Sequence, residues 1–139
     1  MDFHPGLKAI VDSSGTMISW ALAVAAGSVV ALVSTSYERP KTPRGRTMYL
    51  LFPPAWTCLG ASVYCGQQIS QRFIAAQLSA DPENVRKILE QMNGDYVRQS
   101  GLLIAGLAIL LVWLLCFVVW WIWCAPTTPP KKVFRNTID

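Results

Sequence analysis

The chain has 139 residues, of which 53% are hydrophobic and only 14% are charged, and its formal net charge is +4. Soluble domains carry about 25% charged residues, so the composition argues against a soluble domain and favours one small membrane domain over residues 1–139. It also argues against nucleic-acid binding, because no basic stripe is interleaved with exposed aromatic residues.

Residues 1–14 precede the first long apolar run and are predicted to form a short amphipathic turn on the membrane surface. Ser13 or Ser14 is expected to cap the helix that follows. The apolar run continues to Val33, which is longer than the hydrophobic part of a signal peptide, so cleavage is not expected.

The first membrane span is predicted over residues 15–36. Every fourth residue along it is small, which predicts a helix-packing ridge, because small side chains let helix backbones approach closely in lipid. The sequence does not identify the helix that packs against this ridge: the candidates are the second span, the third span and a helix of another subunit. The ridge consists of Gly15, Ser19, Ala23, Gly27, Ala31 and Thr35.

A basic loop, residues 37–46, leads to a second predicted span over residues 47–66. Pro53 and Pro54 lie about one turn into that span, and proline removes a backbone donor and clashes with the preceding turn. The pair predicts a kink or a late helix start at Pro53. A broken helix lining a cavity, as in transporters, is the alternative, but the chain offers no inverted partner span for it.

Residues 67–100 are predicted to form a helical hairpin outside the bilayer. The triplet Asp81-Pro82-Glu83 has the features of a helix start, and Asn93-Gly94 is expected to end that helix before the next one begins. An apolar stripe on the helix could pack against the sister helix or dock a partner protein. The stripe consists of Val85, Ile88, Leu89 and Met92.

The third predicted span, residues 101–124, contains no charged residue. At about 1.5 Å per residue it reaches about 36 Å, enough to cross a hydrocarbon core of about 30 Å. Trp120, Trp121 and Trp123 are predicted interface anchors, because tryptophan favours the headgroup level. Residues 125–139 form a basic, proline-rich tail.

The chain lacks the residue patterns of common catalytic and cofactor sites. His4 is the only histidine, and the four cysteines contain no C-x-x-C pair, so no metal site, haem site or other cofactor is expected. No span has a charged residue in its interior, whereas ion-coupled carriers and proton relays nearly always need one. The cysteines are expected to be reduced and packed, and the protein is not expected to be an enzyme.

These observations predict an all-α integral membrane protein with three transmembrane helices and a helical hairpin outside the bilayer between spans 2 and 3. The expected function is a non-catalytic subunit that packs against and stabilises a larger membrane assembly. Its expected partners are membrane lipids and other membrane protein subunits, either copies of itself or different chains.

The alternative function is a homo-oligomeric pore or small channel, and the distribution of basic residues predicts the orientation in either case. The short loop and the tail carry more Lys and Arg close to span ends than the opposite side does, which predicts an outside N-terminus and a cytoplasmic C-terminus.

A pore would have to be lined by Ser19, Thr35, Thr57, Ser62 and Gln67.

Overall fold

A computed structural model describes residues 5–36, 47–79 and 81–124. These residues form three long α-helices, α1 (Pro5–Ser36), α2 (Phe52–Leu78) and α3 (Pro82–Cys124), and a short 3-10 helix, Met48–Leu51, precedes α2. The all-α prediction is confirmed. The predicted basic loop 37–46 and basic tail 125–139 lie outside the described residues.

Helix α1 begins well before the predicted first span, at Pro5. Proline is well suited to the first turn of a helix, where its missing N–H has no intrahelical acceptor to lose. Ser13 and Ser14 therefore lie inside the helix, and the prediction that one of them caps it is wrong. Their hydroxyl groups instead contact Tyr96 and Gln99 of α3.

Helix α2 begins at Phe52, so Pro53 and Pro54 occupy its first turn. Proline costs little there, because the first N–H groups of a helix have no intrahelical partner. The structure thus confirms a late helix start preceded by a short entry segment. The helix continues to Leu78, well past the predicted end of the second span.

Helix α3 is continuous from Pro82 to Cys124, so the predicted break at Asn93-Gly94 is wrong. Its start is as predicted: Asp81 Oδ1 accepts a hydrogen bond from the backbone N–H of Glu83 at 3.1 Å. A glycine inside a helix costs only about 1 kcal/mol. Met92, two residues before it, is buried against the rest of the bundle, and the burial of this apolar side chain offsets that cost.

Because Gly94 lies inside a continuous helix, we expect Gly94→Ala to raise the free energy of unfolding by about 0.5–1 kcal/mol. The position is exposed, and a Cβ placed there meets no atom within 4 Å. Thermal unfolding of the purified protein in detergent would measure the change. A destabilised Gly94→Ala variant would indicate that the helix breaks at this point after all.

Helices α2 and α3 form an antiparallel hairpin, and α1 packs against it parallel to α3. The buried core contains Ala21, Leu59 and Leu103, one residue from each helix. Contact is tight at Gly106 of α3, where a Cβ would lie 3.0 Å from Leu59 Cδ2. The two helices of the hairpin could not approach as closely if a larger residue stood at that position.

Each of the three chain segments contains a run without a charged residue, and the structure places these runs side by side. The runs cover residues 13–36, 47–71 and 99–124. Ser14 contacts Gln99 at one end, Trp56 contacts Ser28 in the middle, and Tyr49 contacts Thr35 near the other end. We call this region the charge-free layer. Twenty-four helical residues correspond to a thickness of about 36 Å.

Two helices are long and apolar enough to cross a membrane, within Leu7–Thr35 of α1 and Pro82–Trp123 of α3. These two helices contain the first and the third predicted spans. Helix α2 does not reach the same hydropathy, because several polar residues, among them Thr57, Gln67 and Gln68, interrupt its apolar residues.

Candidate functional site

A buried polar cluster joins all three helices at one end of the charge-free layer. Gln99 of α3 is fully buried, and its Oε1 accepts a hydrogen bond from Ser14 Oγ of α1 at 2.7 Å. Gln99 Nε2 donates to the Ser14 carbonyl at 3.1 Å, and Ser62 Oγ of α2 donates to the Gln99 carbonyl at 2.9 Å. We call Ser14, Ser62 and Gln99 the Gln99 cluster.

Gly66 of α2 makes room for the Gln99 cluster. A Cβ at this position would lie 2.6 Å from Gln99 Nε2 and 2.8 Å from Ile18 Cδ1. Real Cβ atoms essentially never come this close, so a larger side chain would displace the ends of the Gln99 and Ile18 side chains. Glycine at position 66 thus leaves the space in which the Gln99 side chain forms its hydrogen bonds to Ser14.

Two further polar contacts flank the Gln99 cluster on the side of the hairpin turn. The hydroxyl groups of Ser13 and Tyr96 lie 3.0 Å apart. Arg72 Nη1 lies 2.7 Å from Asp95 Oδ2, although that oxygen receives no well-aligned hydrogen bond. Arg72 and Asp95 thus form an ion pair without a charge-assisted hydrogen bond. This ion pair joins α2 to α3 just beyond the charge-free layer.

Aromatic side chains fill the opposite part of the bundle. The rings of Phe52 and Trp113 meet edge to face with centroids 4.7 Å apart, and Trp113 stacks on Phe117 at 5.5 Å. Trp56 Nε1 donates a hydrogen bond to Ser28 Oγ at 2.7 Å, which joins α2 to α1. Trp113 Nε1 is buried without an acceptor. These aromatic residues pack the helices against one another at this end of the bundle.

The predicted interface anchors lie at the far end of α3. Trp121 and Trp123 are exposed, whereas Trp120 is half-buried and its ring lies 6.0 Å from that of Phe117. Their role as interface anchors stays a prediction.

The predicted small-residue ridge does not pack against the chain's own helices over most of its length. Its first four members, from Gly15 to Gly27, are exposed, and a Cβ at Gly15 or Gly27 would meet no atom within 4 Å. Ala31 and Thr35 are half-buried, because residues four apart advance by about 40° beyond a full turn and the ridge winds around the helix. The face of α1 that packs internally contains Ser14, Ala21 and Ser28.

The predicted docking stripe on α3 lies partly inside the hairpin. Met92 is only 1% exposed, so the chain itself already covers it. Val85, Ile88 and Leu89 are half-buried, which leaves little apolar surface there for another protein.

The structure does not bring all five predicted pore-lining residues together, although Thr57 and Gln67 share the outer face of α2. Ser62 is buried in the Gln99 cluster, whereas Ser19 is exposed on α1 and Thr57 and Gln67 are exposed on α2. Thr35 is half-buried, and its hydroxyl donates to the Ala31 carbonyl.

Neither metal ligands nor thiols assemble into a site within the described residues. There, no three His, Cys, Asp or Glu side chains are placed to hold a metal ion. Cys58 and Cys65 are half-buried free thiols. Cys116 is an exposed free thiol, which differs from the expectation of packed cysteines because its position on α3 faces away from the bundle.

A polar stripe on the outer face of α2 was missed by the sequence analysis. Its members are all exposed and recur at alternating intervals of three and four residues, the spacing of one helix face. This spacing was visible in the sequence, but the outward direction of the face became clear only once α1 and α3 were placed. The stripe, called the α2 polar stripe, consists of Thr57, Gly60, Tyr64, Gln67 and Gln71.

The fold and its surfaces define an all-helical protein with two helices long and apolar enough to cross a membrane. No family model, curated protein or solved structure matches the chain. The functional proposal therefore depends on how these helices pack and on what they leave exposed.

Proposed function

We propose that the chain is an integral membrane protein with three spans that packs against and stabilises a larger membrane assembly without turnover of its own. The three spans are supported by the alignment of the three uncharged runs. If α1 and α3 cross the bilayer, α2 must cross with them, because it packs against both over the same depth. Among the polar and small residues of α2, Ser62 and Gly66 face the interior of the bundle and therefore do not contact lipid.

The orientation follows from the basic residues at the two ends of the charge-free layer. The loop 37–46 and the tail contain seven Lys and Arg residues close to span ends, and the opposite side has five. Basic residues near span ends favour the cytoplasm. The N-terminus and the hairpin turn would then lie outside, and the C-terminal tail would be cytoplasmic.

The role as a subunit is carried by one observation, the exposed outer face of α1. Gly15, Ser19, Ala23 and Gly27 are small, lie on successive turns and are exposed, and a Cβ added at Gly15 or Gly27 would meet no described atom within 4 Å. A lipid-facing helix gains nothing from small residues, whereas helix association in membranes depends on them because backbones can then approach closely. A transmembrane helix of the assembly would lie against this face.

Gly27→Leu tests this role, because an added Cβ meets no described atom within 4 Å, whereas a leucine side chain would separate α1 from a partner helix. We expect normal membrane insertion and loss of the co-purifying protein in mild detergent. Val30→Leu, at an exposed position off the ridge, is the control and should retain the partner. Equal loss in both variants, or no co-purifying protein with the wild type, would contradict the proposal.

A homo-oligomeric pore is the alternative function. The positions of the polar residues favour it less than they favour a non-conducting subunit. Its lining residues would have to converge on one axis, and Ser19 lies on the outer face of α1 while Ser62 is buried. Steady single-channel currents from the purified protein in bilayers would overturn the proposal of a non-conducting subunit.

A further inference from the structure

The outer face of α2 differs from the outer faces of the other two helices. Within the charge-free layer, α1 exposes Leu22, Val30 and Val33, and α3 exposes a long series of Leu, Val and Ile side chains. At the same depth, α2 exposes the α2 polar stripe. Such a face is unfavourable against lipid chains, which offer no hydrogen-bond partner.

Within the described part of the chain, the polar groups of this stripe are largely without hydrogen-bond partners. Thr57 Oγ1 donates to the Pro53 carbonyl in its own helix. Across the described residues, the side chains of Tyr64, Gln67 and Gln71 form no hydrogen bond, and Tyr64 is 63% exposed. Gly60 lies in the middle of the stripe, and a Cβ there would meet no atom within 4 Å, so another backbone could approach closely at this point.

We propose that the α2 polar stripe is the contact face for a second copy of this chain, a conclusion that rests on the proposed three-span insertion. A glutamine side chain carries both a donor and an acceptor, so the same residue on two chains can form reciprocal hydrogen bonds. A two-fold interface places one face against itself, which this chemistry permits. The stripe contains no charged residue that would repel its own copy.

The geometry of the stripe also fits a helix pair. Alternating intervals of three and four residues keep one face turned toward a neighbouring helix over many turns, as in left-handed helix packing. Both copies would have the same orientation in the membrane, with the two-fold axis along the membrane normal. Gln67 of one copy would then meet Gln67 of the other, in the part of the layer next to the hairpin.

Gln67→Leu and Gln68→Leu form a matched pair, because the same change is made on and off the stripe at adjacent positions. The mass of the full chain would be measured in mild detergent over a dilution series. We expect a dimer for the wild type and for Gln68→Leu. For Gln67→Leu we expect a dimer dissociation constant about tenfold higher, because a symmetric interface loses the hydrogen bonds of both copies. Leucine at position 67 is exposed, so the protomer should remain folded.

Three results would overturn the inference: a monomeric wild type at every concentration, equal weakening by both substitutions, or a complex in which a different protein replaces the second copy. Labels in the loop 37–46 and at the hairpin turn, tested for accessibility from each side, identify which proposal has failed. Labels on the same side would mean that α2 does not cross, and the three-span proposal would fail as well. Labels on opposite sides together with a monomer would contradict only the dimer.

Discussion

Gly66→Leu is expected to lower the free energy of unfolding by about 3 kcal/mol or more, since overpacking by a few atoms typically costs 1–3 kcal/mol. A Cβ alone would lie 2.6 Å from Gln99 Nε2 and 2.8 Å from Ile18 Cδ1, and leucine adds three further carbons. Displacing the end of the Gln99 side chain breaks its hydrogen bonds to Ser14, and the further carbons of leucine need additional space between the helices. Thermal unfolding in detergent would measure the loss.

Gly101→Leu is the matched control for that experiment. Gly101 lies in α3 close to the level of Gly66, is exposed and has no atom within 4 Å of an added Cβ. The same gain in hydrophobicity therefore comes without a clash, and we expect little change in stability. Hydropathy alone would predict that both substitutions help membrane insertion, so equal stability of the two variants would contradict the packing argument.

Gln99→Leu is expected to destabilise the protein by about 1–3 kcal/mol, the cost of leaving a buried hydrogen-bonding group without its partner. Leucine cannot accept the hydrogen bond from Ser14 Oγ or donate to the Ser14 carbonyl. The backbone bond from Ser62 to the residue 99 carbonyl can persist, because it does not involve the side chain. The link between α1 and the hairpin should therefore weaken more than the hairpin itself.

A double-mutant cycle with Ser14→Ala tests whether Ser14 and Gln99 act as a pair. Once Gln99 is leucine, removing the Ser14 hydroxyl should cost much less than it does in the wild type. Residues in direct contact commonly show interaction energies of about 0.5–3 kcal/mol. Unfolding midpoints of the four proteins would give the value, and strictly additive effects would show that the two side chains do not stabilise each other.

Much of the secondary structure could be predicted from local signals. Asp81-Pro82-Glu83 identifies the start of α3, because capping depends on residues within one turn of the helix end. The same kind of reasoning failed at Asn93-Gly94. A glycine penalty of about 1 kcal/mol is small, and burial of the apolar Met92 against the bundle outweighs it. Local signals thus predicted helix ends only where packing did not oppose them.

The small-residue ridge shows a second limit. The spacing of Gly15 to Thr35 was clear, but whether α2, α3 or neither would cover it depended on how α1 rotates about its axis. The structure turns Ser14, Ala21 and Ser28 inward and leaves most of the ridge exposed. Burying Ser14 against Gln99 and Ser28 against Trp56 satisfies polar groups that would otherwise lack partners, which explains this rotation.

The sequence by itself determined three uncharged runs, their helical character and the start of α3, because composition and capping act over a few residues. Only the tertiary structure decided the alignment of the runs, the need for glycine at position 66 and the outward direction of the α2 polar stripe. Ser14 and Gln99 are 85 residues apart in the chain. Their contact depends on the relative height and rotation of two helices, and the periodicity of a single helix contains no information about either.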